Sequence, residues 1–322
     1  MSVDVVLIGR NEGERLVQSL ATVVPQARRV VYVDSGSTDD SVANAQKAGA
    51  EVMHLDMSVS FSAARARNVG LTMLMAHDDP PDFVQFLDGD CRMVAGWLDA
   101  AEARLRAAPD LGFVTGRQAE LDRDQTVFNQ MLDFEWKRPE GEIESCGGNM
   151  VVRVSAFQNV GGFDPSVISS EDDEFCSRLR KAGWRLERIG ADMALHDGGR
   201  LRFGQWWMRG VRAGHGFAHV GGMHPEYFVR ERLRGWVYGL ILPMIAVLGV
   251  FVSPIVPLLV LAVYGLSYLK TVFGLQRSGL PGHEARAHSV LLTVSKFPNC
   301  LGMIRYHLRR LSHRQMRLIE YK

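Results

Sequence analysis

Two aspartates, Asp88 and Asp90, end an apolar run in the segment DFVQFLDGDCRM. Carboxylates this close repel each other, and each loses water at the end of a buried strand unless a positive charge joins them. A divalent cation would remove the repulsion, because Mg²⁺ and Mn²⁺ bind carboxylate oxygens and complete their coordination with phosphate oxygens. The pair therefore indicates a metal site, although Asp-Gly-Asp is also ordinary turn chemistry.

A second acid, Asp34, ends the strand-like run in VYVDSGSTDDS. An acid at this position, followed by a turn of small residues and a helix, is available to a nucleobase or ribose. The residues after it have a structural explanation, since Ser37, Asp39 and Asp40 are typical of a helix start. That explanation accounts for Asp34 less well.

Four consecutive acids, Glu171 to Glu174, follow Ser170 at a predicted helix start. The helix dipole favours acids in a first turn, but four of them exceed what capping needs and repel one another. A carboxylate held ionised there is suited to act as a general base.

His196 follows the strand-like run RIGADMAL. If the fold returns this residue to the strand ends, it would give a neutral imidazole to the metal predicted at Asp88 and Asp90. The alternative is a structural role, which is common for a lone histidine.

These residues depend on an alternation of strands and helices over the first 120 residues. Four runs rich in β-branched and aromatic residues are each followed by a helical pattern or by the Asp-Gly-Asp tip: VDVVLIG, RRVVYVD, AEVMHLD and DFVQFLD. Such alternation predicts right-handed βαβ units and a mostly parallel α/β sheet flanked by helices. Ligands bind beyond the carboxyl ends of such strands, which is where Asp34 and Asp88 stand.

The charge distribution separates the chain into an acidic and a basic part. Residues 1–200 hold 21 Lys/Arg and 32 Asp/Glu, whereas residues 201–322 hold 16 and 4. The basic part contains 35 uncharged positions from Gly235 to Leu269. A single helix of that length is on the order of 50 Å long and exceeds a bilayer core of about 30 Å. Pro254 and Pro257 near its middle predict two spans joined by a turn.

Basic residues at both outer ends of this run favour a hairpin with both ends in the cytoplasm. A buried helical pair in a soluble protein is the alternative. The N-terminus enters a strand without a signal-peptide pattern, which predicts a cytoplasmic first half. The four cysteines lack metal spacing and are expected to be reduced.

The tail of the chain has an amphipathic pattern. Its arginines, Arg305, Arg309, Arg310, Arg314 and Arg317, stand around an apolar stripe of Leu301, Ile304, Leu308, Leu311 and Leu318. Such a helix could lie on an anionic membrane or dock on the protein.

Six segments in unbroken order give the chain a family resemblance: VVLIGRNEGERL, VVYVDSGSTDDS, ARARNVG, FLDGD, GGNMVVRVSAFQNVGGFD and EDDEFCSRLRKAGW. Over roughly residues 3–200 the chain resembles glycosyltransferase family 2. This resemblance implies a GT-A fold and inverting transfer from a nucleotide-sugar donor. With its apolar hairpin, the chain is also similar to membrane-anchored bacterial enzymes of exopolysaccharide or lipopolysaccharide assembly.

The resemblance also implies roles for individual residues. Asp172 would be the catalytic base, with Glu171 and Asp173 as rivals, and Asp88, Asp90 and His196 would hold Mn²⁺ or Mg²⁺. Donor contacts would come from Glu12, Asp34, Arg67, Asp88 and Asn149. Gly9-Arg10 departs from the family pattern, and FGQWWMRG is only loosely similar to the signature of processive synthases, so processivity is not expected. Trp206, Trp207 and Arg209 would instead shape the acceptor site, with packing on the apolar segment as the alternative.

The sequence therefore predicts a metal-dependent glycosyltransferase with a GT-A domain at 1–228 and a membrane-associated helical region at 229–322. Within that region the hairpin is expected at about 236–273 and the basic amphipathic tail at 286–319. The expected partners are a nucleotide sugar, UDP-linked by analogy, a lipid-linked or saccharide acceptor, and the bacterial inner membrane, with the catalytic domain facing the cytoplasm and no nucleic acid. Alternatives are a non-catalytic nucleotide-sugar-binding scaffold and a nucleotidyltransferase, although GRNEGERL lacks the lysine that a triphosphate loop would need.

Overall fold

A computed structural model describes residues 3–312 of the chain, in two compact units. The first unit takes the residues up to Arg123 together with Leu132–Gly199. The second takes Asp124–Met131 and the residues from Arg200 onward. The domain division at residue 228 stays a prediction.

The first unit begins with the alternation that the sequence predicts. Its strands are β1 (Val3–Gly9), β2 (Val30–Asp34), β3 (Glu51–His54) and β4 (Phe83–Asp88), and the helices between them are α1 (Glu14–Val23), α2 (Ser41–Lys47) and α3 (Ala63–Met75). All neighbouring pairs in this part of the sheet are parallel, in the order β3-β2-β1-β4. Their carboxyl ends therefore meet at one side of the sheet, which we call the carboxyl edge.

The rest of the first unit extends this sheet with mixed pairings. It comprises β5 (Cys91–Met93), α4 (Trp97–Ala107), β6 (Leu111–Glu120), a 3₁₀ turn (Arg123–Gln125), α5 (Val127–Trp136, shared with the second unit), β7 (Gly141–Glu142), β8 (Met150–Arg153), α6 (Val154–Asn159), α7 (Glu171–Lys181) and β9 (Arg185–His196). β8 is antiparallel to β4 and β6, while β9 is parallel to β6 and antiparallel to β5 and β7. The α/β fold predicted from the sequence is thus confirmed, with antiparallel strands in its second half.

The core of this unit lies on both faces of the sheet. Alternate residues of β1 face opposite ways, with Val5 and Leu7 packed on one side and Val6 and Ile8 on the other. Strands covered on both faces become continuous apolar runs, which explains why VDVVLIG lacks polar alternation. On the second face four phenylalanines pack with ring centroids 4.4 to 5.7 Å apart: Phe86, Phe157, Phe163 and Phe175.

The second unit is helical over its described residues from Arg200 onward. Its helices are α8 (Phe203–Met223), α9 (Val229–Trp236), α10 (Leu242–Gly249), α11 (Ile255–Arg277), α12 (Gly282–Val294) and α13 (Lys296–Leu311). A short π-helical segment, Val237–Ile241, joins α9 to α10. Pro254 directly precedes α11, so the turn of the apolar run falls where the prolines predict it.

Two stretches of this unit, Val229–Gly249 and Ile255–Arg277, are long and apolar enough to cross a membrane. Only 11% of the most apolar window of each is buried. At the turn between them Phe251 is 86% exposed and Val252 83%. This exposure disagrees with the alternative of a buried helical pair, because a soluble protein covers such residues.

The last helix, α13, packs on α8 through small residues rather than through the predicted leucine stripe. A Cβ atom on Gly302 would lie 2.0 Å from the Val211 carbonyl oxygen, and one on Gly214 would lie 1.9 Å from that of Asn299. The buried face of α13 carries Cys300, Met303 and Tyr306, whereas Leu308 and Leu311 are exposed. Leu318, Ile319, Arg314 and Arg317 of the predicted tail lie outside the described residues.

Candidate active site

The carboxyl edge brings the acids at the ends of β2 and β4 to either side of β1. Gly9 is in register with Asp34, and Ile8 is in register with Asp88. Because neighbouring strands lie about 4.8 Å apart, the two acids stand roughly 10 Å from each other. The sequence separates them by more than fifty residues, so the parallel topology is what makes them neighbours of one site.

Arg67 of α3 links this edge to the acidic start of α7. Its guanidinium donates to Glu171 Oε1 at 2.8 Å and to Asp88 Oδ1 at 3.0 Å, and the residue is only 2% exposed. Burial alone would lower the pKa of Arg67, but the carboxylates of Asp88 and Glu171 raise it above its usual value. A Cβ on Gly148 would lie 1.9 Å from Arg67 Nη2, so only glycine admits the guanidinium here.

Asn149 fixes the end of β4 from the neighbouring strand β8. Its Oδ1 accepts from the Asp88 backbone N–H at 2.9 Å. Its Nδ2 donates to Gln118 Oε1 at 3.0 Å and faces Cys91 Sγ at 3.3 Å. Asn149 is 4% exposed, so its side chain holds the backbone of the Asp88–Asp90 turn in place.

Asp90 and His196 face each other at the ends of β4 and β9. Asp90 Oδ2 lies 3.7 Å from His196 Nε2, and the backbone N–H of Asp197 donates to the Asp90 carbonyl at 2.8 Å. The other ring nitrogen, Nδ1, lies 2.7 Å from Glu120 Oε2. Within residues 3–312 no group of three or more His, Cys, Asp or Glu side chains is arranged to hold a metal ion. The protein donors therefore form a pair of one oxygen and one nitrogen, a set that Mn²⁺ accepts when phosphate oxygens supply further ligands.

Asp172 stands in the first turn of α7, next to the residues that bind Arg67. Ser170, just before the helix, has a left-handed backbone with φ 59°, a conformation that costs a non-glycine residue about 1–3 kcal/mol and is found mostly at functional sites. Desolvation raises the pKa of the Asp172 carboxyl well above its usual range, and the charges of Asp173 and Glu171 add to this effect. Glu171, Asp172 and Asp173 are the candidates for the catalytic base. Glu171 is bound by Arg67, whereas the raised pKa of Asp172 suits a carboxylate that accepts a proton.

Asp34 is buried at 3% exposure and organises the turn after β2. Its carboxylate accepts from the backbone N–H groups of Gly36 and Ser37, each at 3.0 Å. The Tyr32 hydroxyl lies 3.4 Å from Asp34 Oδ1, and desolvation raises the pKa of that phenol. Glu12 lies nearby, since a Cβ on Gly9 would meet Glu12 Cγ at 3.2 Å and the Tyr32 ring at 3.3 Å.

The three aromatic and basic residues predicted for the acceptor site lie in α8 of the second unit. Trp206 is 9% exposed and packs 5.7 Å from the Phe128 ring, in a cluster that includes Met131 and Leu291. Trp207 and Arg209 are half-buried. Trp206 therefore has a packing role within its own unit, and the acceptor role of all three stays a prediction.

Sequence reasoning missed Glu120, Gln118 and Gly148 as parts of this edge. Glu120 ends β6, so the signal that identified Asp34 and Asp88, an acid at a strand end, also applied to it. Gln118 and Gly148 gave no comparable signal, because an amide in a strand and a glycine in a loop are common. Their importance comes from contacts with Asn149 and Arg67 that only the folded sheet creates.

Comparison with known proteins decides the family. Residues 4–161 match the profile described as Glycosyl transferase family 2, and residues 83–281 match Glycosyl transferase family group 2. The chain belongs to the family 2 glycosyltransferases. It is 30% identical over 243 residues to the pre-mycofactocin glycosyltransferase of Mycobacterium tuberculosis, covering 70% of this chain and 48% of that protein. It is 28% identical over 188 residues to the succinoglycan biosynthesis protein ExoA of Rhizobium meliloti, covering 54% and 55%. The chain thus spans about half the length of these curated relatives.

Solved structures establish the fold of this family 2 enzyme. The mannosyltransferase PcManGT of Pyrobaculum calidifontis, in complex with GDP-Man and Mn²⁺, matches with a TM-score of 0.57 at 15% identity, over 96% of this chain and 87% of that one. A structure of S. aureus TarS, residues 1–349, matches with a TM-score of 0.52 at 17% identity, over 96% and 92%. The expectation of a GT-A fold is therefore confirmed.

Proposed function

We propose that this family 2 enzyme is a metal-dependent, inverting glycosyltransferase that moves a sugar from a nucleotide-sugar donor to a lipid-linked or saccharide acceptor in cell-envelope or exopolysaccharide synthesis. The observation that carries the proposal is the cluster at the carboxyl edge, where Asp88, Asp90, Arg67 and Asp172 converge from three different segments of the chain. The similarity to a pre-mycofactocin glycosyltransferase and to a succinoglycan biosynthesis protein supports a saccharide product.

Asp90 and His196 are the residues that would hold Mn²⁺ or Mg²⁺. Asp90 Oδ2 and His196 Nε2 are 3.7 Å apart, and the two side chains are 8% and 12% exposed, so both are shielded from bulk water. Asp88, two residues before Asp90, is paired with Arg67 and has a side chain that is 41% exposed; we propose that it also approaches the metal and the donor. When bound, the cation neutralises the donor diphosphate and improves it as a leaving group. The bound Mn²⁺ and GDP-Man of the similar mannosyltransferase structure are consistent with this assignment.

The donor nucleotide would lie against the turn after β2. Asp34 holds that turn by its two backbone contacts, and Glu12 and Tyr32 form the wall next to it. Arg67 and Asn149 fix Asp88, which would contact the ribose. We assign UDP as the carrier by analogy with related enzymes. We assign contact with the acceptor to Trp207 and Arg209. Trp206, which is buried in the same helix, would support them by packing.

Asp172 would act as the base. It would accept the proton of the acceptor hydroxyl while that oxygen attacks the anomeric carbon from the face opposite to the leaving diphosphate. Such a transition state has oxocarbenium character. The raised pKa of Asp172 suits this role, because a base whose conjugate acid titrates nearer to neutral pH accepts a proton more readily.

The two apolar stretches of the second unit would anchor the enzyme to a bacterial inner membrane with the catalytic unit in the cytoplasm. Their length, composition and exposure support this part of the proposal. Arg230, Arg232 and Arg234 lie near the start of the first stretch, and Lys270 and Arg277 lie near the end of the second. Basic residues at both outer ends favour a cytoplasmic location for both ends. The anchor would keep the enzyme at the surface that carries lipid-linked acceptors.

The Asp172→Asn variant tests the base directly. Transfer to acceptor should fall by about 10²–10⁴-fold, because a positioned base contributes that much, while binding of the nucleotide donor in calorimetry stays close to wild type. Asp173→Asn, one residue along, is the matched control and should retain most of its turnover. Equal activity of Asp172→Asn and wild type would remove the assignment.

The pH dependence of transfer tests the same residue a second way. Asp172 must be ionised to act, so activity is present above its pKa and is lost as pH falls through it. Because that pKa is raised, the acidic limb of kcat should lie at higher pH than an ordinary aspartate of pKa about 3.9 would give. An acidic limb at the ordinary value would contradict the assignment.

A second experiment distinguishes an enzyme from a non-catalytic nucleotide-sugar-binding scaffold. It measures hydrolysis of the donor with and without Mn²⁺, which a scaffold would not catalyse in either case.

A further inference from the structure

His196 lies between two carboxylates that contact different atoms of its ring. Nδ1 is 2.7 Å from Glu120 Oε2, a hydrogen-bond distance, and Nε2 is 3.7 Å from Asp90 Oδ2. A carboxylate can only accept, so Nδ1 must carry a proton to bond Glu120. The neutral ring then has its lone pair on Nε2, and that lone pair is directed to the side on which Asp90 lies.

Glu120 is itself held on both of its oxygens. Oε2 faces His196, and Oε1 accepts from the backbone N–H of Gly198 at 2.8 Å. Its side chain is 1% exposed. Residue 120 is in register with residue 196 across the parallel pair β6–β9, and the Leu121 N–H donates to the His196 carbonyl at 2.8 Å. Rotation of the Glu120 carboxylate away from the imidazole would therefore also break the Gly198 hydrogen bond.

Two further contacts limit the ring and the loop after it. The Trp136 ring lies 5.8 Å from the imidazole, centroid to centroid, at 57°. A Cβ on Gly198 would lie 2.6 Å from Glu120 Oε1, so a larger residue would push the carboxylate away. The imidazole is thus oriented by a buried acid on one side and by an indole on another.

We propose that Glu120 is the positioning residue that makes His196 Nε2 a metal ligand. The inference rests on the proposed function, because it takes the metal site of Asp90 and His196 as given. Histidine ligands of metals commonly donate their second N–H to a carboxylate, which fixes the tautomer and raises the basicity of the ligating nitrogen. Glu120 has the geometry of that partner, because its two carboxylate oxygens contact His196 Nδ1 and the Gly198 N–H.

An amide at position 120 should reverse the tautomer of His196. The Gly198 N–H is a permanent donor and would take the amide oxygen of a glutamine. The amide NH₂ would then face Nδ1 and require it to accept, which moves the ring proton to Nε2. A protonated Nε2 cannot bind a metal, so this nearly isosteric change disables the ligand without opening a cavity.

The experiment measures Mn²⁺ affinity of the full chain in detergent with UDP present, and with GDP in a second series. Glu120→Gln should weaken Mn²⁺ binding by about 10–100-fold, the range observed when such partners are removed. His196→Ala should weaken it at least as much. In the His196→Ala background, Glu120→Gln should have no further effect, because the two changes act through one nitrogen. Glu140→Gln, an exposed acid in the same unit, is the matched control.

Nitrogen NMR of ¹⁵N-histidine-labelled protein gives a readout that does not involve metal. The spectra are recorded at a pH high enough for the ring of His196 to carry a single proton in both proteins. His196, identified by loss of its signal in His196→Ala, should show the proton on Nδ1 in wild type and on Nε2 in Glu120→Gln. Unchanged thermal unfolding of Glu120→Gln without metal would exclude a general loss of fold.

The outcomes separate this inference from the proposed function. If His196→Ala leaves Mn²⁺ affinity unchanged, the metal site is wrong and the inference is overturned with it. If His196→Ala weakens binding but Glu120→Gln binds Mn²⁺ like wild type, or keeps the Nδ1–H tautomer, the role of Glu120 alone is overturned. Weaker binding with the reversed tautomer, absent in Glu140→Gln, supports it.

Discussion

In the first unit the unusual side chains are charged and buried, whereas in the second unit they are apolar and exposed. Arg67, Glu171 and Glu120 are each less than 9% exposed and bound to partners. By contrast, Phe251, Val252 and Leu266 are 60% exposed or more. Both patterns are unfavourable for isolated side chains in water. A buried charge needs a partner of opposite charge or hydrogen bonds, and a large exposed apolar surface needs another protein or a membrane to cover it.

The contrast is what the proposed membrane anchoring requires, since the two units would then face different solvents. The first unit excludes water from ion pairs at one edge of a sheet, which strengthens their electrostatic interaction. The second unit satisfies its backbone in helices and leaves apolar side chains outward, which is the requirement for a segment in lipid. The proposed function therefore assigns chemistry and membrane attachment to different parts of the chain, and each can be disturbed separately.

The largest expected effect on stability follows from removing Arg67. Arg67→Ala leaves Glu171 buried without its guanidinium, and breaking a buried pair costs about 3–5 kcal/mol. The free energy of unfolding, from denaturant titration of the full chain in detergent, checks this value. Arg117→Ala is the control: Arg117 pairs with Glu140 at 56% and 49% exposure, so its loss should cost about 1 kcal/mol or less. Similar losses for the two variants would contradict the difference between buried and exposed pairs.

The next effect tests the medium around the second unit. Leu266→Arg places a charge near the middle of α11, where Leu266 is 68% exposed. At the centre of a bilayer this costs about 3 kcal/mol, and the membrane-bound fraction of the chain in washed cell membranes should fall. On a helix exposed to water the same change is nearly neutral. Leu311→Arg, at 78% exposure in α13, is the control and should leave the membrane-bound fraction unchanged.

The smallest effect, when expressed per pH unit, concerns His215 of α8, which is fully buried and has no hydrogen-bond partner for either ring nitrogen within residues 3–312. Burial lowers the pKa of His215 to about 3, with His219 and Arg309 adding to the shift. Below about pH 6.5 the unfolded chain binds a proton that the folded chain does not bind, so stability falls by about 1 kcal/mol per pH unit down to about pH 3.

His215→Leu should remove that contribution and flatten stability against pH, measured by thermal unfolding between those limits. The exposed His283→Leu serves as the control and should retain the wild-type slope. The same slope in His215→Leu and wild type would mean that this histidine does not titrate as its burial requires.

Much of the first unit was predictable because its signals are local. Continuous apolar runs marked β1, β2 and β4, and the acids just after or at their ends marked the carboxyl edge. From Gly147 onward the pattern is weaker, since β8 and β9 pair antiparallel or irregularly and their sequence alternation is not clean. The contact between α8 and α13 was not predicted for a similar reason: it is formed by glycines, which carry no hydrophobic signal.

By itself the sequence determined the first four strands, the helices between them and the acids that end two of these strands, because hydrophobic period and turn chemistry act over a few residues. It also determined the apolar hairpin, since composition alone governs whether a helix suits lipid. Only the tertiary structure decided that Arg67 binds Glu171, 104 positions away, and that Glu120 holds His196, 76 positions away. Such pairs depend on the strand order of the sheet, and no local pattern records which distant strands that order makes neighbours.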